Sequence, residues 1–340
     1  MSAPRPPEIE RLTLGFIPLL DAALPIIARE AGFFTDEGLE VALSRENAWS
    51  TLRDKVASGL LDGAHMLSPM PLAMSLGLSR APCETLAPFI LGRGGNTIVL
   101  SKRWSEGMDD IGADRDPRDN ARRFAARLHD HRGSPPRLAM VYPYSCQHYQ
   151  LREWLASADI DIEHQVVLGA LPPPRMVEAL ENDEIDGFCV GEPWGSLARY
   201  RDVGRVAASG AQLWPAHPEK VLGVTASWAL RYPATLAALI RALHKAVQWL
   251  DASPDHARRA LGWLALPPYL DRSVEHLETL APDVPPAWQC LVGDPRPTAE
   301  IMSHVAEHLD QHMRESGRVL DMRTLSTCYS PAHFDAATHQ

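Results

Sequence analysis

The sequence predicts an α/β fold built from two units, because short apolar strands alternate with helices of about ten residues and because this alternation stops and then restarts. The chain has 340 residues, of which 45% are hydrophobic and 22% are charged, which is sufficient for two lobes with their own cores. The second unit is predicted as an insertion in the first. We expect lobe 1 at 8–102 plus 220–340 and lobe 2 at 103–219.

The predicted strands and helices of each unit follow one another along the chain. In the first, strand-like apolar segments and helix-like segments alternate: 12–18, 25–34, 39–44, 50–61, 63–67, 71–80, 84–91 and 97–102. A polar and charged stretch at 106–136 interrupts the pattern, which resumes in the second unit at 137–143, 147–158, 165–171, 175–183, 186–191, 196–204 and 205–209. A return strand at 220–228 and an amphipathic helix at 232–253 lead back to the first unit. Mainly parallel sheets are expected.

Two such units are typical of a hinged binding protein. Its small ligand would lie in a cleft between the lobes, near the carboxyl ends of strands and the N-termini of helices. A formal net charge of −10 argues against a surface that coats nucleic acid, because phosphate binding needs clustered Lys and Arg. Direct nucleic-acid binding is therefore not expected.

Five cysteines without C-x-x-C spacing suggest neither a disulfide framework nor a zinc site. No pair among the 14 histidines is expected to show the i, i+4 spacing of a metal site, so no metal and no cofactor are predicted. The first residues contain no apolar signal region, and no window reaches the roughly 18 apolar residues of a membrane span. We expect a cytoplasmic protein without membrane contact.

Catalysis is not predicted. The sequence lacks G-x-S-x-G, the phosphate-loop motif, H-E-x-x-H and G-x-G-x-x-G after a strand. The Gly-rich segment at 92–96, GRGGN, has no following helix to supply an N-terminal dipole.

Candidate ligand contacts stand where strands pass into helices. Trp49 lies in NAWSTLRDK, where Ser50 or Asn47 can cap a helix whose free N–H groups bind an anion; alternatively, Trp49 is only a hydrophobic staple. A second group, Ser145, Gln147 and His148, opens the first helix of the second unit and is either a ligand contact or a capping cluster. Lys220 can neutralise a buried negative group, and Glu192, in GEPWG, raises the question of why an acid lies near an anion pocket.

Five separated motifs then resemble a known family in register. They are GFIPLLDAALPIIAREAGFF, AWSTLRDK, DGAHMLSPMPLA, PPPRMVEALENDEIDGFCVGEPWG and LWPAHPEKVLGV. Over about residues 11–270 the chain resembles the nitrate and bicarbonate binding proteins of ABC transporters, the NrtA and CmpA type, and more closely the cytoplasmic NasS-type nitrate/nitrite sensor. The resemblance implies the type II periplasmic-binding-protein fold. It also implies a non-catalytic role in which nitrate or nitrite releases a NasT-like ANTAR-domain response regulator that the ligand-free protein holds.

The same resemblance implies a set of ligand-binding residues. The family tryptophan falls on Trp49, which would pack over a planar anion. The family glutamine or asparagine falls on Asn96, beside the backbone N–H of Gly95. A family histidine falls on Gln147, and His148 occupies the next position, where asparagine is usual.

Two further positions complete this set. A lysine of the transporter proteins falls on Ala211, which cannot neutralise an anion, so Lys220 is the nearest candidate to replace it. Glu192 is expected to form an ion pair with Lys220, because the sensor branch carries GEPWG and HPEK together. Acceptance of a hydrogen bond from Trp194 or the backbone, and a place on the partner surface, remain its alternatives.

Three functions compete. The leading one is a cytoplasmic sensor that sequesters an antiterminator and thereby controls nitrate assimilation genes. The second is the substrate-binding subunit of an ABC transporter for nitrate, bicarbonate or an organic sulfonate. The third is a synthase similar to the pyrimidine precursor enzymes, but Cys146, Cys189 and Cys328 do not form the Cys-rich iron motif that those enzymes use.

Overall fold

The computed structural model describes residues 5–78, 80–108, 116–278, 293–315 and 317–339. Its strands are β1 (Arg11–Phe16), β2 (Glu40–Arg45), β3 (Gly63–Leu67), β4 (Thr85–Arg93), β5 (Asn96–Ser101), β6 (Arg137–Met140), β7 (Val167–Ala170), β8 (Gly187–Gly191), β9 (Gly204–Ser209) and β10 (Pro218–Thr225).

The α-helices separate and follow these strands. They are α1 (Ala23–Glu30), α2 (Phe33–Asp36), α3 (Trp49–Ala57), α4 (Met70–Ser75), α5 (Lys102–Ser105), α6 (Pro117–Asp130), α7 (Cys146–Ala156), α8 (Ile162–Gln165), α9 (Met176–Glu181), α10 (Trp194–Tyr200), α11 (Gly210–Leu213), α12 (Ala226–Arg231), α13 (Pro233–Asp251), α14 (Pro254–Leu264), α15 (Val274–Glu278), α16 (Ser303–Glu315), α17 (Met322–Cys328) and α18 (Ala332–Thr338). Short 3-10 turns at Leu20–Ala22 and Pro173–Arg175 complete the regular structure of the described residues.

Unit 1 comprises the described residues of Met1–Arg93, Pro218–Asp271 and Leu291–Gln340. Its five strands run in the order β2-β1-β3-β10-β4. Strand β1 is parallel to β2 and β3, whereas β10 is antiparallel to β3 and β4. The amphipathic helix α13 contributes an apolar face at helical spacing to the core of this unit, through Leu236, Leu239, Leu243, Val247 and Leu250.

Unit 2 comprises Gly94–His217 and the described part of Arg272–Cys290. Its strands run in the order β7-β6-β8-β5-β9, with β5 antiparallel to β8 and β9. Aromatic rings fill its core: Phe124 stacks on Trp154 with ring centroids 5.8 Å apart, and Trp104 meets Phe124 edge-on at 5.4 Å. The indole N–H of Trp154 donates to the carbonyl oxygen of Pro117 at 3.0 Å, so this buried donor is satisfied.

The predicted α/β fold of two units is confirmed, with sheets flanked by helices. The predicted boundary at residue 102 is wrong, because β5 pairs with β8 and β9 and belongs to unit 2. Two left-handed glycines, Gly94 (φ 63°) and Gly95 (φ 85°), form the turn that separates β4 from β5. Arg272 also belongs to unit 2 rather than to the predicted tail of lobe 1.

The polar stretch at 106–136 folds in part as α6, whose first turn is capped by the carboxylate of Asp116 accepting from the N–H of Arg118 at 2.9 Å. Residues 109–115 of this stretch lie outside the described residues. None of the helices in the described ranges is long and apolar enough to cross a membrane.

Candidate anion-binding site

Four side chains of unit 1 meet at one edge of its sheet. Asp21 lies in the 3-10 turn after β1, Trp49 begins α3 after β2, His65 lies in β3 and Lys220 lies in β10. Strands β1, β2 and β3 are parallel, so the segments after β1 and β2 emerge at the edge where β3 ends. Lys220 comes to the same edge because β10 is antiparallel and Lys220 pairs with Leu67, the last residue of β3. We call these four residues the unit 1 cluster.

Asp21 is the centre of the unit 1 cluster. Its Oδ2 lies 2.8 Å from Nζ of Lys220, and its Oδ1 lies 2.9 Å from Nε2 of His65. The ammonium of Lys220 stands over the ring of Trp49, 6.0 Å from the ring centroid, and the rings of Trp49 and His65 are 5.6 Å apart. All four side chains are buried, and Lys220 is 0% exposed. A lysine at this depth requires an opposite charge, which Asp21 supplies.

The electrostatics of the unit 1 cluster favour a charged Asp21 and a neutral His65. Burial alone would raise the pKa of Asp21, but the charges and hydrogen bonds of Lys220 and His65 hold it at about 2. Burial lowers the pKa of His65, and the nearby Asp21 only partly opposes this effect. Asp21 and Lys220 therefore cancel in charge, and the cluster is neutral before a ligand binds.

Two polar atoms of this cluster are buried and have no hydrogen-bond partner within the described residues. They are Nε1 of Trp49 and Nδ1 of His65. A buried indole N–H without an acceptor costs about 1–3 kcal/mol, and each such atom in a native structure calls for an explanation. An oxyanion, which offers only acceptor oxygens, would satisfy the Trp49 donor beside the positive charge of Lys220.

The predicted helix cap at this site is wrong in detail. Helix α3 begins at Trp49, its N-cap is Ala48, and no side-chain hydrogen bond caps it. Neither Asn47 nor Ser50 therefore performs the expected capping. The buried ring of Trp49 itself stands at the start of the helix.

Three buried amides form a relay in unit 2. Nε2 of Gln147 donates to Oδ1 of Asn96 at 2.8 Å, and Nδ2 of Asn96 donates to Oε1 of Gln150 at 3.0 Å. Asn96 begins β5, while both glutamines lie in the first turns of α7. The structure thus brings together Asn96 and Gln147 of the predicted site, and adds Gln150 to them. Oε1 of Gln147 is buried and has no hydrogen-bond partner among the described residues.

Two neighbours of this relay have structural roles. Ser145 caps α7, since its Oγ accepts from the N–H of His148 at 3.1 Å, which confirms the capping interpretation of this segment. Nδ1 of His148 lies 2.7 Å from the carbonyl oxygen of Pro143, and its ring stacks on Tyr149. The carbonyl oxygen of Gly95 accepts from the N–H of Glu192 at 2.9 Å, which ties the turn before β5 to the end of β8.

Glu192 is buried after β8. Its Oε2 accepts from the N–H of Ser196 at 3.0 Å, whereas Oε1 is without a hydrogen-bond partner in the described part of the chain. Burial raises the pKa of this carboxyl to about 7, although the hydrogen bonds from Ser196 oppose the rise. The expected ion pair with Lys220 is wrong, because Lys220 pairs with Asp21. Of the alternatives, acceptance of a backbone hydrogen bond is the one observed.

The candidate residues chosen from the sequence included neither Asp21 nor His65. A signal for Asp21 was present, since it is the only charged residue in the apolar run at 14–28, and an isolated acid in such a run needs a buried partner. Gln150, four residues before Trp154 on α7, carried no comparable signal. The cysteines that the structure describes form no disulfide with one another: Cys83, Cys146, Cys189 and Cys328. Cys290 lies outside the described residues.

Comparison with solved structures supports this fold in detail. The crystal structure of the periplasmic nitrate-binding protein NrtA from Synechocystis PCC 6803 matches with a TM-score of 0.85 and 25% identity, covering 98% of this chain and 90% of that one. The alkanesulfonate-binding protein SsuA from Xanthomonas axonopodis pv. citri bound to MOPS has the same fold, with a TM-score of 0.65 and 16% identity, covering 96% and 98% of the two chains.

Proteins of similar sequence also carry names that refer to nitrate. The chain is 42% identical over 269 residues to the nitrate import ATP-binding protein NrtC of Synechocystis sp. strain PCC 6803, which covers 78% of this chain but 38% of that relative. It is 34% identical over 280 residues to the nitrate/nitrite binding protein NrtA of Synechococcus elongatus strain PCC 7942, covering 80% and 62%. The chain thus spans well under half of the first of these relatives. The model of the NMT1-like family matches residues 5–265, and the chain therefore belongs to the NMT1-like family.

Proposed function

We propose that this chain binds nitrate or nitrite through the unit 1 cluster. The observation that carries the proposal is the buried N–H of Trp49, without an acceptor among the described residues, beside the buried ammonium of Lys220. A planar oxyanion would accept that hydrogen bond at the edge of the indole ring. The names of NrtC and NrtA, which refer to nitrate, support this ligand class.

In this proposal Asp21 sets the charge of the site. It holds Lys220 in place and cancels its charge in the free protein, so that binding of one monovalent anion changes the net charge of the cluster from 0 to −1. Phenylalanine in place of Trp49 would keep the ring but remove the donor. Calorimetry with nitrate, nitrite, bicarbonate and chloride tests the ligand, and absence of binding of both nitrate and nitrite would refute the proposal.

The amide relay of unit 2 is proposed, by itself, as a group of hydrogen-bond donors for an oxyanion. Asn96 and Gln147 are fixed by each other and by Gln150, so they are held in place before any ligand arrives. The proposed site residues also include Gly95, His148 and Glu192, whose role is to hold the segments around the amide relay in place. At a pKa of about 7, Glu192 is largely protonated below neutral pH and does not then repel an anion.

We further propose that the chain is a cytoplasmic sensor rather than a carrier. In this role the ligand-free protein holds an ANTAR-type antiterminator response regulator, and nitrate or nitrite releases it. Support comes from the motif resemblance over 11–270 and from the net charge of −10, which complements a basic RNA-binding partner. If the anion weakens partner binding by some factor, the partner weakens anion binding by the same factor.

A titration tests the sensor proposal directly. Nitrate or nitrite added to a purified complex with an ANTAR-domain partner should dissociate it, and the partner should weaken nitrate binding by the same factor. A complex that persists at saturating concentrations of both anions would refute the sensor role while leaving anion binding intact.

The alternative is a substrate-binding subunit of an ABC transporter for nitrate, bicarbonate or an organic sulfonate. The name of NrtA, a nitrate/nitrite binding protein, favours it. The name of NrtC, a nitrate import ATP-binding protein, also refers to transport, although the match covers only 38% of that longer chain. Cell fractionation separates the two functions, because a carrier would be found outside the cytoplasm.

A further inference from the structure

Helix α16 carries three histidines at one spacing. His304, His308 and His312 stand at i, i+4 and i+8, so that their side chains follow one another along one side of the helix. The expectation that no histidine pair has this spacing is therefore wrong. The apolar positions Val305, Ala306, Leu309 and Met313 are buried, while the three histidines are half-buried at the border of that face. They are fixed by the packed helix and still reachable from solvent.

The first two rings are already in contact. The ring centroids of His304 and His308 are 4.8 Å apart with the planes at 86°, and one nitrogen of each lies within 4.8 Å of the other. Zinc binds imidazole nitrogen at about 2.0–2.1 Å, so two nitrogens on a tetrahedral ion stand about 3.3 Å apart. Rotation of the two side chains covers this remaining distance without movement of the helix.

We propose that His304 and His308 bind one divalent transition-metal ion, of which Zn²⁺ and Cu²⁺ fit best. Imidazole is a preferred ligand of both ions, and affinity for Cu²⁺ exceeds that for Zn²⁺ at a given site, whereas Mg²⁺ prefers oxygen ligands. Two imidazoles leave the remaining coordination positions to water or to another donor. Such a site binds its ion exchangeably, unlike a closed structural zinc site.

His312 cannot join the same ion. Eight residues of helix correspond to a rise of about 12 Å, far beyond the span of one metal ion. His312 follows His308 by four residues, just as His308 follows His304. His308 and His312 are therefore a competing pair of ligands. The ring contact between His304 and His308 selects the first pair.

Calorimetry of the untagged full chain with zinc chloride tests the proposal. We expect one ion per chain, tighter binding of Cu²⁺, and no binding of Mg²⁺. The variants His304→Gln and His308→Gln should each weaken zinc binding at least tenfold, whereas the matched variant His312→Gln on the same helix should retain it. An unfolding temperature without metal that equals that of the parent shows that each variant folds.

Three results would overturn the assignment. They are no zinc binding by the parent chain, zinc binding unchanged in both His304→Gln and His308→Gln, or loss of binding in His312→Gln with retention in His304→Gln. None of these depends on nitrate, so the metal site and the proposed anion site stand or fall separately.

Discussion

Replacing Trp49 by phenylalanine removes one buried N–H and keeps an aromatic ring at the start of α3. In the proposed complex this N–H donates to a charged oxygen, and a hydrogen bond to a charged group contributes about 1.5–3 kcal/mol. At about 1.4 kcal/mol per factor of ten, nitrate binding should weaken roughly 10- to 100-fold. Alanine is a poorer choice, because truncation of a buried tryptophan costs about 3–5 kcal/mol of stability.

A measurement of unfolding free energy distinguishes weakened nitrate binding from a damaged fold. In Trp49→Phe the smaller ring loses packing, but removal of a buried N–H without an acceptor offsets part of that loss, so unfolding free energy should change by about 1 kcal/mol or less. The matched control is Trp154→Phe, where the N–H donates to Pro117 at 3.0 Å. That variant should lose about 1–3 kcal/mol and bind nitrate normally.

Isothermal calorimetry with nitrate and urea unfolding are the two measurements for both variants. The expected outcome is a double contrast: affinity falls in Trp49→Phe and stability falls in Trp154→Phe. Nitrate affinity in Trp49→Phe equal to that of the parent would remove the indole N–H from the site and refute the reasoning.

Three further predictions concern buried polar groups. Asp21→Asn should lower unfolding free energy at pH 7 by at least about 2 kcal/mol, because the pKa of Asp21 falls from 3.8 to about 2 at about 1.36 kcal/mol per pKa unit. The extra stability of the parent is complete above pH 3.8 and is lost as the pH falls towards 2. Urea unfolding at a series of pH values across this range measures it. The control is Asp255→Asn, which changes an exposed carboxylate and should leave the stability unaffected. Gln147→Leu should cost about 1–3 kcal/mol in the same assay, because Oδ1 of Asn96 loses its donor; an unchanged midpoint would contradict the relay. The pKa of Glu192 is raised from 4.5 to about 7, so its neutral form stabilises the fold fully below pH 4.5 and this contribution is lost progressively as the pH rises from 4.5 through about 7. Glu192→Gln should therefore flatten the fall in stability between pH 4.5 and about 7, and parallel curves for the variant and the parent would contradict this.

The two predicted α/β units are confirmed, because they depend on local pattern, and some residues proposed as ligand contacts from motifs are neighbours in the structure. Trp49 and Lys220 were named from motifs, and they do meet at one sheet edge. Asn96 and Gln147 were named in the same way and are hydrogen-bonded.

Local sequence patterns could not predict which buried charges form ion pairs with each other. Lys220 was assigned to Glu192 because their motifs occur together, whereas strand register places it beside Asp21, about 200 positions away along the chain. The same limit explains the misplaced β5, since a strand after a glycine turn can pair with either sheet. Pairings that join distant segments depend on topology rather than on local composition.

The position of β10 in its sheet has a consequence for synthesis of the protein. Unit 1 places β10 between β3 and β4, so β4 has no neighbour in the sheet until residues 218–225 leave the ribosome. The strands of the second sheet lie between Asn96 and Ser209 and emerge earlier. Nascent chains should therefore assemble the inserted unit first, while the half-built sheet of unit 1 exposes open strand edges and depends on chaperones for longer.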